Sequence, residues 1–329
     1  MKAVAAVTGA SGHLGANLVR ALLNKGRRVR VLLHRDSLAL EALDVELVPG
    51  DILNRESLSA LMDGAESVFH LASFISVSER NSDLVEKVNV QGTRNVVDAC
   101  LAAGVKRLVH SSSVQAYFQP DPAAATHEGM KLSLNGRSLL YDRTKAEGQR
   151  IVLEAVSRGL EAVVINPTGI VGPNDFKLSR MGEAILSIAN GAYPLLVDGG
   201  FDWVDARDVV QGALAAETRG RSGECYLLSG HWVHLREVSA VISRITGRRT
   251  ARLAVPLWLA GAAAWANELV ALLGRRRTNF TPDVVRTLRM SRRISHEKAS
   301  RDLGYEPRPF EETMRDTLDW FRGNGYLEG

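Results

Sequence analysis

Three glycines, Gly9, Gly12 and Gly15, mark the passage from an apolar run, Ala3–Thr8, into a helix-like run, His13–Asn24, the last of them in its first turn. Glycine at these places permits a sharp strand-to-helix turn and close approach of another backbone or of a phosphate. A helix that opens directly behind such a turn offers unpaired N–H groups and the positive end of its dipole. The stretch Thr8-Gly9-Ala10-Ser11-Gly12-His13-Leu14-Gly15 therefore predicts a phosphate cradle, with Ser11, His13 and Leu14 beside the glycines as candidate contacts. Its spacing is GxxGxxG, not GxGxxG. A glycine triplet alone is weak; the strand before it and the helix after it give it meaning.

The strand–helix unit then recurs. Val29–Leu33, Val45–Val48, Ser67–Leu71, Arg107–His110 and Ala162–Asn166 are continuous apolar runs, as expected of strands buried on both faces. Between them, Arg55–Met62, Leu84–Ala103 and Tyr141–Ser157 read as helices. Repeated β-α-β units imply an α/β fold, a Rossmann-type doubly wound parallel sheet. After Pro167 the pattern changes. Helices are expected at Phe176–Asn190, Arg207–Glu217, Leu235–Thr246, Pro256–Leu273 and Phe310–Phe321, with a strand at Cys225–Leu228 and a helix start at Thr281-Pro282-Asp283. The chain thus divides into a dinucleotide-binding domain, 1–172, to which 203–230 returns, and a smaller, mostly helical domain, 173–202 and 231–329. The two cysteines, Cys100 and Cys225, form no disulfide framework or metal-ligand spacing, so a reducing, cytoplasmic setting is expected.

A second motif supplies chemistry. Tyr141 and Lys145 are four residues apart, so a phenol and an ammonium share one helix face. A tyrosine ordinarily titrates near ~10, and a neighbouring cation would favour its phenolate. Beside a dinucleotide cradle, this pair suggests a nicotinamide cofactor and a residue that passes a proton to a carbonyl. The end of the second strand selects the cofactor. An NAD site usually carries an acid there for the ribose hydroxyls. Here His34 and Arg35 come first and Asp36 follows, which favours the 2′-phosphate of NADP over NAD. Asp51-Ile52, after the third strand, stands where an adenine edge would lie, and Leu71-Ala72-Ser73 would let the cofactor pass close to backbone.

These residues resemble the extended short-chain dehydrogenase/reductase superfamily over nearly the whole chain. The resemblance rests on Thr8-Gly9-x-x-Gly12-x-x-Gly15, Gly50-Asp51, Phe69-His70-Leu71-Ala72, Asn89-Val90-x-Gly92-Thr93, Ser111-Ser112-Ser113, Tyr141-x-x-x-Lys145 and Asn166-Pro167. It implies that Tyr141 is the general acid/base, that Lys145 also holds the nicotinamide ribose, and that Ser113 polarises the substrate oxygen. It further implies that Asn166-Pro167-Thr168-Gly169-Ile170 lies against the nicotinamide. Ser111 and Ser112 read as turn-formers with backbone hydrogen bonds, Ser111 also as a cofactor contact, and Asn89 as a tie between neighbouring strands more than as a chemical group.

Within the superfamily, dehydratases resemble one another in placing Asp-Glu after the catalytic Ser/Thr; here Val114 and Gln115 stand there. Sugar-nucleotide epimerases often carry Arg-Asp-aromatic, the arginine clamping a diphosphate. Phe201-Asp202-Trp203 lacks that cation, although Arg180 or the later arginines could substitute. Val29–Leu32, Asn95–Cys100 and Asn166–Pro173 look like dihydroflavonol reductases and 3β-hydroxysteroid dehydrogenases, which act on bulky, largely apolar ketones and alcohols. An NADP-dependent ketone/alcohol oxidoreductase is the preferred expectation. A sugar(-nucleotide) epimerase and a non-catalytic NADP-binding sensor are the alternatives. Phe176, Tyr193, Trp203, Trp232 and Trp258 are candidates for an apolar pocket wall, or plain core.

Arg244–Arg293 holds eleven arginines against two acids, a net +9 that leaves −5 on the rest of a chain whose total is +4. Within it, apolar Leu253–Leu273 lies between arginine clusters. The arginines read as a solvated basic face or a site for an anionic partner, and Leu253–Leu273 as a helix packed on the smaller domain or, through 248–277, as a peripheral contact with the inner face of an anionic membrane. No nucleic-acid-binding module accompanies the charge. A homodimer would use the apolar helices Leu84–Ala103 and Tyr141–Ser157.

Overall fold

The structure is a computed structural model that describes residues 3–328 apart from 36–37, 76–81, 120, 122, 137, 265–287 and 289–292. Its framework is a parallel sheet of β1 (Val4–Thr8), β2 (Arg28–Leu33), β3 (Glu46–Pro49), β4 (Ala65–His70), β5 (Arg107–Ser111), β6 (Ala162–Pro167) and β10 (Cys225–Leu228). The order across it is β10-β6-β5-β4-β1-β2-β3. The order reverses between β1 and β4, and ligands of such sheets bind in the crevice at the carboxyl ends beside that point.

Strand alternation explains why both faces are covered. Ala5, Val7, Val29, Val31, Phe69, Val109, Val163 and Ile165 join one apolar cluster with α1 (His13–Asn24) and α7 (Ala206–Arg219). Their neighbours Ala6, Leu32, Val68, Leu108, Ala162 and Val164 join the other, with α2 (Arg55–Met62), α4 (Thr93–Ala103) and α5 (Leu140–Val156). Arg30 is the exception on the second face. Its guanidinium reaches the carbonyls of Leu61 and Asp63 and pairs with Glu46 at 2.8 Å.

The expected strands of the first half are present, with ends displaced by one or two residues. The run Leu84–Ala103 is not one α-helix. It is split into α3 (Ser82–Glu86), a π-helical turn at Lys87–Gly92, and α4. Such a turn inserts one residue and re-aims its side chains; here it carries Asn89. The helix expected from Phe176 begins only at α6 (Arg180–Ala189). The Asp175 carboxylate accepts from the Ser179 amide at 2.8 Å, and Leu178 takes φ 41°, so the preceding residues form a fixed loop.

The second half is less helical than its sequence suggests. β7 (Gly169–Val171), β9 (Gly200–Asp205) and β11 (His231–His234) form a three-stranded sheet. β8 (Leu196–Val197) pairs with β12 (Ala254–Val255). These strands are short and rich in Gly and His, so no period-2 pattern marks them. α8 (Leu235–Thr246), α9 (Glu297–Leu303) and α10 (Phe310–Gly323) complete this half. Pro256–Leu273 is helical over 257–264, and its remainder, with Thr281-Pro282-Asp283, lies outside the described residues. No helix among the described residues is long and apolar enough to cross a membrane.

Candidate active site

The glycine loop lies at the sheet's reversal point. Gly9 follows β1 with φ +74°, and a Cβ there would stand 2.5 Å from the Ala72 nitrogen. A Cβ on Gly15 would meet the Gly9 carbonyl oxygen at 2.2 Å. Both glycines therefore close the loop onto itself and onto the chain leaving β4. Gly12 differs: it is exposed, and its nearest obstacle is the Gly9 oxygen at 3.4 Å. It is the N-cap of α1, whose first turn has neither a side-chain cap nor an acid. An uncapped helix N-terminus behind an open glycine suits a pyrophosphate. Ser11 accepts a hydrogen bond from Lys177 Nζ at 3.0 Å. His13 points away from this opening, its Nε2 on the Pro173 oxygen at 3.0 Å and its Nδ1 3.9 Å from Asp175. Leu14 packs against the core.

At the end of β2, His34 and Asp51 are brought together, Nε2 to Oδ2 at 3.1 Å. The pairing follows from adjacent parallel strands, since Leu33 lies opposite Pro49. Asp51 also accepts from the Leu53 amide at 2.9 Å, and the cap of α2 is Asn54. Ile52 is buried against Gly92. Arg35 is exposed beside His34. The three-residue stretch Leu71-Ala72-Ser73 leaves β4 directly opposite Gly9, with the Leu71 amide on the Thr8 carbonyl at 3.1 Å.

Tyr141, Lys145 and Ser113 converge beyond the ends of β5 and β6. Burial pushes the Tyr141 phenol up to about 12; neighbouring Ser113 opposes that, Asp142 adds to it and Arg180 opposes it. Lys145 is buried, donates to the Ser111 carbonyl at 2.7 Å, and is brought down to about 7 by loss of solvent. The sequence points to the lysine as the cation favouring the phenolate. In the structure its ammonium is directed to β5, and the cation that acts on the phenol is Arg180, on a different helix. Ser113 accepts from the Gln115 amide, which fixes its backbone as the start of a 3-10 turn at Val114–Ala116.

Asn89 is a tie. Its Oδ1 accepts from the Phe74 amide at 2.8 Å and from Ser73 Oγ at 3.1 Å, and its Nδ2 donates to the Phe74 carbonyl and to Thr144, both at 3.1 Å. It thus joins the chain after β4 to α5, the helix of Tyr141 and Lys145, rather than strand to strand. Asn166 donates to the Ser113 carbonyl at 3.0 Å and to Gln149 Oε1 at 2.8 Å. Pro167 ends β6, and Ile170 lies in β7 against the first apolar cluster. Thr168 donates to Asp202 at 2.6 Å, and Asp202 also accepts from the Gly230 amide. Gln149, two turns after Tyr141 on the same face, is a site residue the sequence motifs miss, although its spacing is visible. Arg180 enters the sequence analysis only as a stand-in diphosphate clamp, because nothing in the sequence puts it near Tyr141. Trp203 is core, and Phe176 packs edge-on against Trp320 with Arg20 over its face. Among the described residues no cluster of His, Cys, Asp and Glu could hold a metal ion, and Cys100 and Cys225 are both buried free thiols.

A doubly wound sheet with a glycine cradle at its reversal point and a Ser-Tyr-Lys cluster beyond β5 defines a dinucleotide-dependent enzyme. The family described as NAD dependent epimerase/dehydratase matches residues 5–229, and the chain belongs to it as an NAD(P)-dependent extended short-chain dehydrogenase/reductase. Sterol demethylase protein B of Methylococcus capsulatus is 38% identical over 326 residues, covering 98% of this chain and 99% of that protein. The 4-hydroxy-2-methyl-3-oxo-4-farnesyl-3,4-dihydroquinoline-1-oxide ketoreductase of Stigmatella aurantiaca is 30% identical, covering 95% of this chain and 94% of that protein. Among solved structures, a nucleoside-diphosphate-sugar epimerase from Pseudomonas aeruginosa superposes with a TM-score of 0.81 at 26% identity, covering both chains fully.

Proposed function

We propose that this chain is an NADP-dependent oxidoreductase that interconverts a ketone and a secondary alcohol on a bulky, largely apolar substrate. The observation that carries the reading is the gathering of Tyr141, Ser113 and buried Lys145 at the carboxyl edge of the sheet, with Lys145 one turn from Tyr141 on α5 and bonded to the Ser111 carbonyl. The nicotinamide, when bound, supplies or accepts the hydride. Gly9, Ser11, Gly12, His13 (through its backbone), Leu14 and Gly15 would hold the pyrophosphate. Arg35 with His34 would meet the 2′-phosphate, and Asp51-Ile52 the adenine. Leu71, Ala72, Ser73, Asn89 and Ser111 would flank the ribose side, where Lys145 would hold the ribose, and Asn166, Pro167, Thr168 and Ile170 the nicotinamide face.

In reduction, Ser113 donates to the carbonyl oxygen and polarises it, and Tyr141 delivers the proton. Burial keeps that phenol protonated at neutral pH, so it is poised as the acid. In oxidation the same oxygen takes the proton back. The apolar substrate is supported by Phe201, which packs edge-on against Trp203 at 5.8 Å where a diphosphate-binding enzyme needs a cation. The farnesyl group in the name of the ketoreductase relative agrees with it. Sugar-nucleotide epimerisation is the second reading, favoured by the likeness to the solved epimerase. The retained Tyr141 and Lys145 argue against a non-catalytic sensor.

The test is NADPH and NADH consumption against aromatic, steroid and aliphatic ketones, with Tyr141→Phe alongside. Turnover with NADPH that falls by about a hundredfold or more in the variant is expected. Cofactor binding without turnover of any ketone would refute the reading.

The division into a cofactor domain, 1–172 with 203–230, and a substrate domain, 173–202 with 231–329, belongs to the same proposal. So does peripheral membrane contact through 248–277. Leu253 and Trp258 are 71% and 69% exposed, and Arg249 and Arg252 are exposed beside them, an apolar surface with a cationic rim. Sedimentation with phosphatidylserine vesicles but not with phosphatidylcholine vesicles is expected. Equal recovery in both supernatants would discard it.

A further inference from the structure

β5 and β6 stay paired as far as Ser112, whose amide donates to the Ile165 carbonyl at 2.8 Å. The chain then leaves the sheet as the 3-10 turn Val114–Ala116, with Ser113 before it and Tyr117 after it. Ser113, to which the proposed chemistry gives the substrate oxygen, thus stands on neither an α-helix nor a strand. Two buried amides hold it. Asn166, near the end of β6, donates from Nδ2 to the Ser113 carbonyl at 3.0 Å and to Gln149 Oε1 at 2.8 Å. Gln149 Nε2 donates to the Tyr117 hydroxyl at 3.4 Å and to Cys225 Sγ at 3.3 Å. The Tyr117 hydroxyl closes the circuit by donating to Asn166 Oδ1 at 3.4 Å. Both ends of the turn are therefore fastened to one ring of three side chains.

The sense of that ring is forced. The Ser113 carbonyl can only accept, so Asn166 presents its nitrogen there and its oxygen to Tyr117. Gln149 then turns its oxygen to Asn166 and its nitrogen to Tyr117 and Cys225. Flipping either amide would set donor against donor. Asn166, Gln149 and Tyr117 are 0%, 1% and 3% exposed, so a lost link strands a polar group away from solvent. Burial also raises the Tyr117 phenol, which stays a neutral donor.

Gln149 carries the ring onto α5, two turns beyond Tyr141. The helix that bears the phenol is thereby joined to the turn that bears the Ser113 hydroxyl. We propose that Gln149 is a positioning residue: through Asn166 and Tyr117 it sets where the Ser113 hydroxyl stands relative to the Tyr141 phenol. This rests on the oxidoreductase reading, in which both hydroxyls meet the same substrate oxygen. Each must then reach that atom at about 2.6–3.2 Å. A misplacement of ~1 Å in such a geometry costs about a hundredfold in rate. A single 3-10 turn outside the sheet ladder lacks the hydrogen bonds to hold that tolerance by itself; a buried ring with one permitted sense supplies them.

The experiment follows NADPH oxidation with each ketone that wild type reduces. It compares wild type, Ser113→Ala, Gln149→Leu and Tyr117→Phe, and places the last two also in the Ser113→Ala background. Ser113→Ala should lose about a hundredfold in kcat. Gln149→Leu should lose about tenfold or more in kcat while NADPH binding is unchanged. Neither ring variant should lower kcat further once Ser113 is alanine, because a role exercised through that hydroxyl vanishes with it. The same loss in both backgrounds, or no loss of kcat in Gln149→Leu, overturns the proposal. Should Gln149→Leu fail to fold, Tyr117→Phe decides by the same comparison, since it removes one hydroxyl and leaves the Asn166–Gln149 bond in place. If wild type reduces no ketone, the oxidoreductase reading fails by itself, and crystal structures of wild type and the ring variants decide the positioning. Ser113 Oγ displaced from the Tyr141 hydroxyl by ~1 Å or more supports it, and an unmoved Oγ overturns it.

Discussion

Replacing Lys145 by methionine probes the burial of its ammonium without any ligand. Lys145 is buried, and loss of water brings it from 10.5 to about 7. A pKa lowered on folding means the folded chain binds the proton less well than the unfolded chain. The charged form is penalised at and below pH 7, and the penalty is relieved as pH rises toward 10.5, where the unfolded lysine also loses its proton. A tenfold loss of proton affinity corresponds to ~1.4 kcal/mol, so the full penalty is at most about 5 kcal/mol. The variant loses the hydrogen bond to the Ser111 carbonyl, a pH-independent cost of ~1–3 kcal/mol. The slope separates the two effects. Between pH 7 and 9, wild type should gain roughly 2 kcal/mol of unfolding free energy relative to Lys145→Met, because the folded lysine is already half deprotonated at pH 7. Urea denaturation of both proteins at half-unit pH steps, cofactor-free, gives the difference directly. Parallel curves would mean that the ammonium keeps its water in the folded state, and the reasoning would be wrong.

Three further outcomes follow from contacts of equal definition. A Cβ on Gly148 would stand 3.0 Å from the Asn89 carbonyl oxygen, which Thr93 already occupies, so Gly148→Ala should lose about 1 kcal/mol in urea melts despite alanine's better helix propensity; an unchanged or raised midpoint would show that α5 can shift. Arg35→Ser removes the exposed cation beside His34, and the preference for NADPH over NADH in equilibrium binding should fall about tenfold or more; an unaltered ratio would clear Arg35 of any part in it. Arg308 donates to Asp208 at 2.8 and 2.9 Å and lies 3.6 Å from fully buried Asp205, so Arg308→Met strands Asp208, leaves Asp205 with Arg207 as its one cation, and should cost about 3 kcal/mol. A loss within 0.5 kcal/mol of zero, judged against the ~3 expected, would show those carboxylates to be solvated.

The first half of the chain is legible in the sequence because its signals are local. A strand buried on both faces is largely apolar, as β1 and β6 are, and β4 and β5 keep an apolar centre between polar ends; α1 and α2 begin and end where the sequence places them. The π-helical turn at Lys87–Gly92 is not legible, since an inserted residue changes the direction of Asn89 but leaves the apolar pattern of α4 intact. The strands of the second half are hidden for the opposite reason. β8 and β12 have two residues each and cannot show a period. Motif position alone sends His34 and Asp51 to opposite ends of an adenosine, yet β2 and β3 are neighbours and the two side chains pair. Arg180 escapes the motifs because its relation to Tyr141 exists only through Ile75, Phe74 and Asn89, which no spacing in the sequence encodes.

The glycine loop and the helix α5 that carries Tyr141 are joined by more than shared packing. The Ala72 amide donates to Thr8 Oγ1, which hydrogen-bonds His70 Nδ1 at 2.7 Å. His70 Nε2 meets Thr93 Oγ1 at 3.1 Å, and Thr93 donates to the Asn89 carbonyl at 2.7 Å. Because Thr93 uses its only proton on Asn89, the proton of His70 must be on Nε2, leaving Nδ1 to accept from Thr8. Burial holds His70 down to about 3, so this arrangement stays neutral across the physiological range. From Asn89 the path continues through Thr144 to Tyr141. Every donor along it has one acceptor, and reversing any link would leave a buried polar group unpaired. The strand pair at the sheet's reversal point thus sets the position of the glycine loop and, through one π-helical turn, that of the phenol. If the proposed roles hold, one hydrogen-bonded path keeps cofactor and proton donor in register, and a change at Thr93 or Asn89 should disturb both sides of the reaction at once.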